Sequence, residues 1–191
     1  LMHLIDVASI REKVILSWLA LVGFRIGTFS LLTYGDVRED LEKGITPIHV
    51  HVPIEKTKGH YHDYDTFVGA EGVEYFKAYL AMRRQGTEDM PPEKIHDESP
   101  IIRNCNYADV RGVTPGAIYD IIHRLYLANG LTEKAGGKMY KLRIHSIRKY
   151  FRTQMAALGV PTDYIEYMMG HSISTYHDIQ MKGIDFLRGI Y

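Results

Sequence analysis

Residues 145–171, HSIRKYFRTQMAALGVPTDYIEYMMGH, leave the chain little choice of local structure. Ile147, Phe151, Met155 and Leu158 recur three and four residues apart, so on an α-helix they form one apolar stripe. The helix closes at Gly159, Pro161 opens a second, shorter one, and Gly170 lets the chain leave it. An imidazole and a guanidinium, His145 and Arg148, stand at i and i+3 on the first of these helices, and His171 follows the second.

The same punctuation recurs along the chain. IREKVILSWLALVG (10–23) sets Ile10, Val14, Trp18 and Leu21 at helical spacing, with Gly23 as its C-cap. FRIGTFSLLTYGDV holds a short helical stretch ending near Gly35, and GVEYFKAYLAMRRQG (72–86) is an amphipathic helix closed by glycine. In TPGAIYDIIHRLYLANG (114–130), Thr114 is an N-cap and Pro115 takes the first helical position. ITPIHVHVPIEKTKG (45–59) breaks the pattern. Its alternating His and Val and its β-branched residues predict a strand running into a hairpin at Gly59, with YDTFVG (64–69) as partner. TEDMPPEKIHDESP (87–100) reads as a proline-rich acidic loop. The expected fold is α+β, mainly α-helical, with one small antiparallel sheet, in a single domain over residues 1–191.

A chain that is 46% apolar can bury a core of that size. The longest apolar stretch, around residues 14–24, is too short for a membrane span, and no signal peptide is visible. The single Cys105 excludes an internal disulfide and fits a reducing cytoplasm. Net charge is zero, which by itself argues against a nucleic-acid binder. Its distribution argues the other way. From Lys134 to Thr162 there is no acid, while Lys138, Lys141, Arg143, Arg148, Lys149 and Arg152 all fall there. A charge run alone is usually a solvated helix face and a His–Arg pair alone an ordinary polar one; the two together weigh toward an anion-binding face.

Other residues add to that pair. Arg25 lies in an apolar neighbourhood, where a charge is costly unless paired, so it is either a structural ion-pair partner or a guanidinium held against an anion. Lys56 and Lys58 sit at the hairpin tip, solvated or poised to reach a groove. His171 is a helix cap or a ligand to an anion. Tyr176 behind it is a potential nucleophile if an activated phosphodiester is present. A metal-dependent hydrolase using His49, His51, His60, His62 and Asp63 is a further reading, although their spacing matches no zincin pattern.

In order, these residues resemble the tyrosine recombinases, or phage integrases, whose pattern is Arg, Lys, His-x-x-Arg, His, Tyr. GFRIGTFSLLTYGDV and LRIHSIRKYFRTQMAALGVPTDYIEYMMGHSIST are similar to the family's two blocks, and the likeness spans residues 10 to 180. The TYHDIQ ending is similar to an archaeal branch. The resemblance implies cleavage of double-stranded DNA through a 3′-phosphotyrosyl link, with no metal or cofactor. Arg25 and Arg148 would clamp the phosphate, and His145 would accept or hold the nucleophile's proton. His171 would hydrogen-bond the phosphate, Lys58 (alternatively Lys56) would protonate the leaving 5′-oxygen, and Tyr176 (alternatively Tyr191) would attack. Lys138, Lys141, Arg143, Lys149 and Arg152 would meet the DNA backbone. It further implies the catalytic domain of a longer protein whose N-terminal DNA-clamping domain is not in this chain. That protein would be cytoplasmic, nucleoid-associated and tetrameric on DNA. The chain departs from the pattern in three places. Thr28 replaces an acid three residues after Arg25, the hairpin lysine is ambiguous, and Gln180 occupies the usual tyrosine position. Those departures leave open a recombinase-like DNA-binding module without a competent nucleophile.

Overall fold

The computed structural model describes residues 2–88, 90–132 and 143–191. A short α1 (Met2–Val7) leads into α2 (Ile10–Val22), which begins at a capping box where Ser9 and Glu12 bond each other's backbone N–H. Residues Val14 to Ala20 and Val22 are buried on every side of α2, which is therefore the core helix. Helices α5 (Ala70–Gln85) and α7 (His145–Ala157) pack against it. Trp18 fixes the first contact: its ring meets Phe76 edge-on at 5.0 Å and its Nε1–H donates to the Gly72 carbonyl at 3.1 Å.

Between them lie α3 (Ile26–Leu31), α4 (Arg38–Lys43) and the sheet of β1 (Ile48–Val52) and β2 (Tyr64–Val68). The strands pair antiparallel, with Val50 opposite Thr66 and His51 opposite Asp65. The period of two sends Ile48, Val50 and Val52 into the core and leaves His49 and His51 on the other face beside Asp65. After β2 and α5 the chain continues through α6 (Pro115–Ala128), α7, α8 (Thr162–Met168), α9 (Tyr176–Gln180) and α10 (Ile184–Ile190). Among the described residues no helix is long and apolar enough to cross a membrane.

Several expectations change in detail. The strand predicted over 45–59 stops at Val52, because Pro53 has no N–H to give the ladder; a 3₁₀ turn at Ile54–Lys56 follows. Leu158 leaves the apolar stripe: it is the C-cap of α7 and 77% exposed. The acidic loop is not simply solvated. Its Glu93 is buried between the guanidiniums of Arg83 and Arg103, tying the loop to α5. Helices α1, α4, α9 and α10, each of five to seven residues, were not foreseen.

Candidate active site

Two helix ends build the centre of the site. Arg148, in the first turns of α7, is only 5% exposed, and its guanidinium donates to the Gly23 carbonyl and to the Met169 carbonyl at 2.6 Å. Arg25, the residue before α3, donates through Nη1 to the Gly170 carbonyl at 3.0 Å. These acceptors are the terminal carbonyls of α2 and α8, which have no partner within their helices and carry the negative end of the helix dipole. Both exits need a left-handed glycine, Gly23 (φ 71°) and Gly170 (φ 65°). Among the described residues neither guanidinium has a carboxylate partner. Thr28, in place of the family's acid, is buried, and the Gly170 carbonyl buttresses Arg25 instead.

Burial and the neighbouring Arg25 push Arg148 down to about 10, so it remains charged near neutrality. Tyr64 lies fully buried beside both arginines and Thr28, its hydroxyl pushed up to about 12 by burial. The His145 ring is held below the ordinary histidine range by desolvation and by the positive charges of Arg148, Lys149 and Arg25. That favours a neutral ring with a nitrogen able to accept a proton.

His171 Nε2 lies 2.8 Å from Arg148 Nη2, and its Nδ1 bonds Glu166. Arginine only donates, so Nε2 accepts and Nδ1 carries the hydrogen, which fixes the tautomer. Burial pushes the Glu166 carboxyl up, but bonds from His171 and Arg152 outweigh it and hold it below the usual range. Sequence reasoning missed Glu166; its position five residues before His171, across the end of α8, was the available signal.

The two lysines part company. Lys56 is ion-paired with Asp36 at 2.5 Å. Lys58 is exposed and lines a cleft of about 300 Å³ with Arg25, Tyr61, His62, Gly170 and Ser172. The tyrosines differ as sharply. Tyr191 donates to the Leu21 carbonyl at 3.0 Å and accepts from the Gly69 N–H at 3.1 Å, and burial pushes it up to about 12. That is a structural clasp. Tyr176 heads α9, and its hydroxyl donates to Asp63 Oδ1 at 2.6 Å. Burial and that carboxylate raise its pKa well above the ordinary phenol value. Gln180, at the family's usual tyrosine position, touches the same hydroxyl at 3.3 Å.

Among the predicted DNA contacts, Arg143 and Lys149 are exposed, and Arg143 lines a recess with Arg25, His145 and Arg148. Arg152 is exposed but its charge is met by Glu166 at 2.6 Å. Lys138 and Lys141 lie outside the described residues. The histidines proposed for a metal are spent otherwise. His49 and His51 both bond Asp65 Oδ1, His60 bonds the Ile54 carbonyl, and His62 packs against Tyr176. Among the described residues no three His, Cys, Asp or Glu side chains converge as a metal site would require.

Arg25 is shared by two hollows, one lined also by Lys58 and the other by His145 and Arg148, and His171 bonds Arg148. The family model described as the phage integrase family matches residues 1–179, and the chain belongs to that family. No curated protein sequence matches the chain. Solved structures similar to it include XerA recombinase, with a TM-score of 0.65 and 21% identity over 97% of this chain and 59% of that one. Another is XerH site-specific recombinase bound to its difH substrate in a pre-cleavage complex, with a TM-score of 0.64 and 15% identity over 98% of this chain and 49% of that one. The Tn1549 transposon integrase in complex with circular intermediate DNA gives a TM-score of 0.54 and 18% identity, over 95% of this chain and 53% of that one. The likeness is one of fold, and the chain spans between 49% and 59% of these relatives' lengths.

Proposed function

We propose that this chain is the catalytic domain of a tyrosine-type site-specific recombinase that cuts and rejoins double-stranded DNA without a metal. The observation that carries this is the pair of guanidiniums held on helix-end carbonyls, with no carboxylate partner among the described residues, beside the exposed Lys58. Such a site favours an oxyanion, and favours it most when charge builds on the non-bridging oxygens of a five-coordinate phosphorus. The Tyr176 phenol oxygen attacks phosphorus, forming the 3′-phosphotyrosyl bond as the bond to the 5′-oxygen breaks. His145 takes the phenol proton and Lys58 gives one to the leaving 5′-oxygen, so charge balances. His171, held by Glu166, aligns Arg148. The reverse attack by a 5′-hydroxyl rejoins DNA without ATP. DNA seen bound to XerH and the Tn1549 integrase supports the choice of partner. Action as four copies on two DNA sites, in the cytoplasm with the nucleoid, belongs to the same reading.

A nicked suicide substrate, from which the 5′-hydroxyl fragment diffuses away, tests it. The parent chain and Tyr191→Phe should yield a covalent protein–DNA adduct, and Tyr176→Phe should yield none. Adduct persisting in Tyr176→Phe would remove Tyr176 from the role. One observation favours a second reading, a DNA-binding module without a nucleophile: Tyr176 faces Asp63 rather than lining the cleft with Arg25. Binding of the substrate with no adduct from any variant would select it.

The leaving-group role has its own test. A 5′-bridging sulfur needs no proton to depart, so Lys58→Ala should slow cleavage of ordinary DNA by about 10²-fold or more and restore near-parental rates on the sulfur substrate. Lys56→Ala should show no such rescue, since Lys56 is committed to Asp36. Equal defects on both substrates would take the acid role from Lys58.

A further inference from the structure

We infer that Asp63 positions Tyr176: the return strand of the hairpin holds the phenol in a dock beside the phosphate cleft, and the tyrosine reaches a phosphate only by leaving it. This rests on Tyr176 being the nucleophile. The dock has both polar halves a phenol needs. Asp63 accepts its hydrogen through Oδ1 at 2.6 Å and the backbone carbonyl at 2.9 Å, while Gln180 donates to its oxygen. The ring is held too, between His62 at 4.8 Å and Tyr167 at 5.6 Å between centroids. His62 lines the cleft that Arg25 and Lys58 share, whereas Tyr176 does not, so the dock adjoins the phosphate site without entering it.

Asp63 is supported from behind. His51 stands between two carboxylates, its Nε2 3.5 Å from Asp63 and its Nδ1 2.9 Å from Asp65. Asp65 is buried and also takes bonds from His49 and the Tyr167 hydroxyl. Burial alone would push its carboxyl up; those hydrogen bonds prevail and bring it to about 2. An anion this firmly held fixes the polar face of the sheet, and the His49–x–His51 alternation that suggested metal ligands becomes the frame of the dock.

The segment carrying Tyr176 is built to come away. It runs between two left-handed glycines, Gly170 and Gly183, and from 172 to 182 only Ile179 is buried. Apart from Ile179, its core contacts are made by the half-buried Ile173 and Tyr176, and the phenol's bond to Asp63 and the Thr175–Asp163 bond are its polar ties. A carboxylate accepting the phenol's hydrogen also keeps the oxygen protonated and unreactive while no DNA is bound.

Asp63→Asn in the whole chain tests this, with Asp63→Glu as the variant that keeps the acceptor. Nitration of Tyr176 by tetranitromethane at pH 8, quantified by peptide mass spectrometry, requires an accessible, ionisable phenol. It should rise about tenfold in Asp63→Asn, as a tenfold change in phenolate fraction would give, and stay near the parental rate in Asp63→Glu. On the suicide substrate, Asp63→Asn should form adduct several-fold faster than the parent. Unchanged nitration, or adduct formation at or below the parental rate, overturns the dock. If the parent itself forms no adduct, the recombinase reading fails and the dock is judged on nitration alone.

Discussion

An Arg148→Lys variant is expected to form the covalent DNA adduct on the order of 10²–10³-fold more slowly than the parent chain, in single-turnover reactions on the suicide substrate. The reason lies in the geometry of the donor. Arg148 is buried and divides its guanidinium among the Gly23 carbonyl, the Met169 carbonyl and His171, while a planar fork still has edge to offer a phosphate oxygen. An ammonium in the same place is a single point that cannot bridge two helix ends and a phosphate together. It would also leave His171 Nε2 without its donor, freeing the ring to turn on Glu166. Arg25→Lys should be damaging but less so, because Arg25 is more open and makes one such bond. Parental rates in Arg148→Lys, with an unchanged circular dichroism spectrum, would remove Arg148 from the transition state.

Gly170→Ala should lower the melting temperature by about 4–20 °C, the span implied by roughly 2–5 kcal/mol in a domain of this size. Two costs add. Gly170 sits at φ 65°, where a β-carbon costs about 1–2 kcal/mol. That carbon would also stand 2.4 Å from the ring of Tyr64, which is buried and cannot retreat, adding about 1–3 kcal/mol of overpacking. Relief through backbone movement would carry away the carbonyl that holds Arg25, so adduct formation should fall with stability. Calorimetry that found the variant as stable as the parent would contradict the left-handed exit. Gly159→Ala makes a useful comparison: its φ is 82°, yet nothing lies within 4 Å of the added carbon, so only the backbone cost remains.

The helices that carry the site were legible because apolar spacing and glycine punctuation agree, as at Ile147, Phe151, Met155 and Gly170. His145 and Arg148 were legible for the same reason, since i and i+3 on a helix share a face. What lay beyond local sequence was pairing. Lys56 and Lys58 look equivalent in EKTKG, and only the fold brings Asp36, twenty residues earlier, onto Lys56. HVHV places two imidazoles on one face, which spacing cannot distinguish from metal ligation until Asp65 is found opposite them. Asp63 and Glu166 were invisible as site residues because each acts on a partner from a different element. Leu158 misled by extending the apolar stripe onto the residue that caps its helix.

The choice of carbonyls to hold the two arginines sets how the site responds to acid. A guanidinium clamped by a carboxylate loses its anchor when that acid is protonated; a peptide oxygen does not titrate. Glu166 is the nearest carboxylate in this network, and it reaches Arg148 only through His171. Arg148 therefore keeps its two carbonyl anchors in mild acid, where a proton taken up by His171 Nε2 would cost it only that one acceptor. With Thr28 in place of an acid, the carbonyl anchors of the clamp are indifferent to pH, and its acid response is carried by the His171–Glu166 contact.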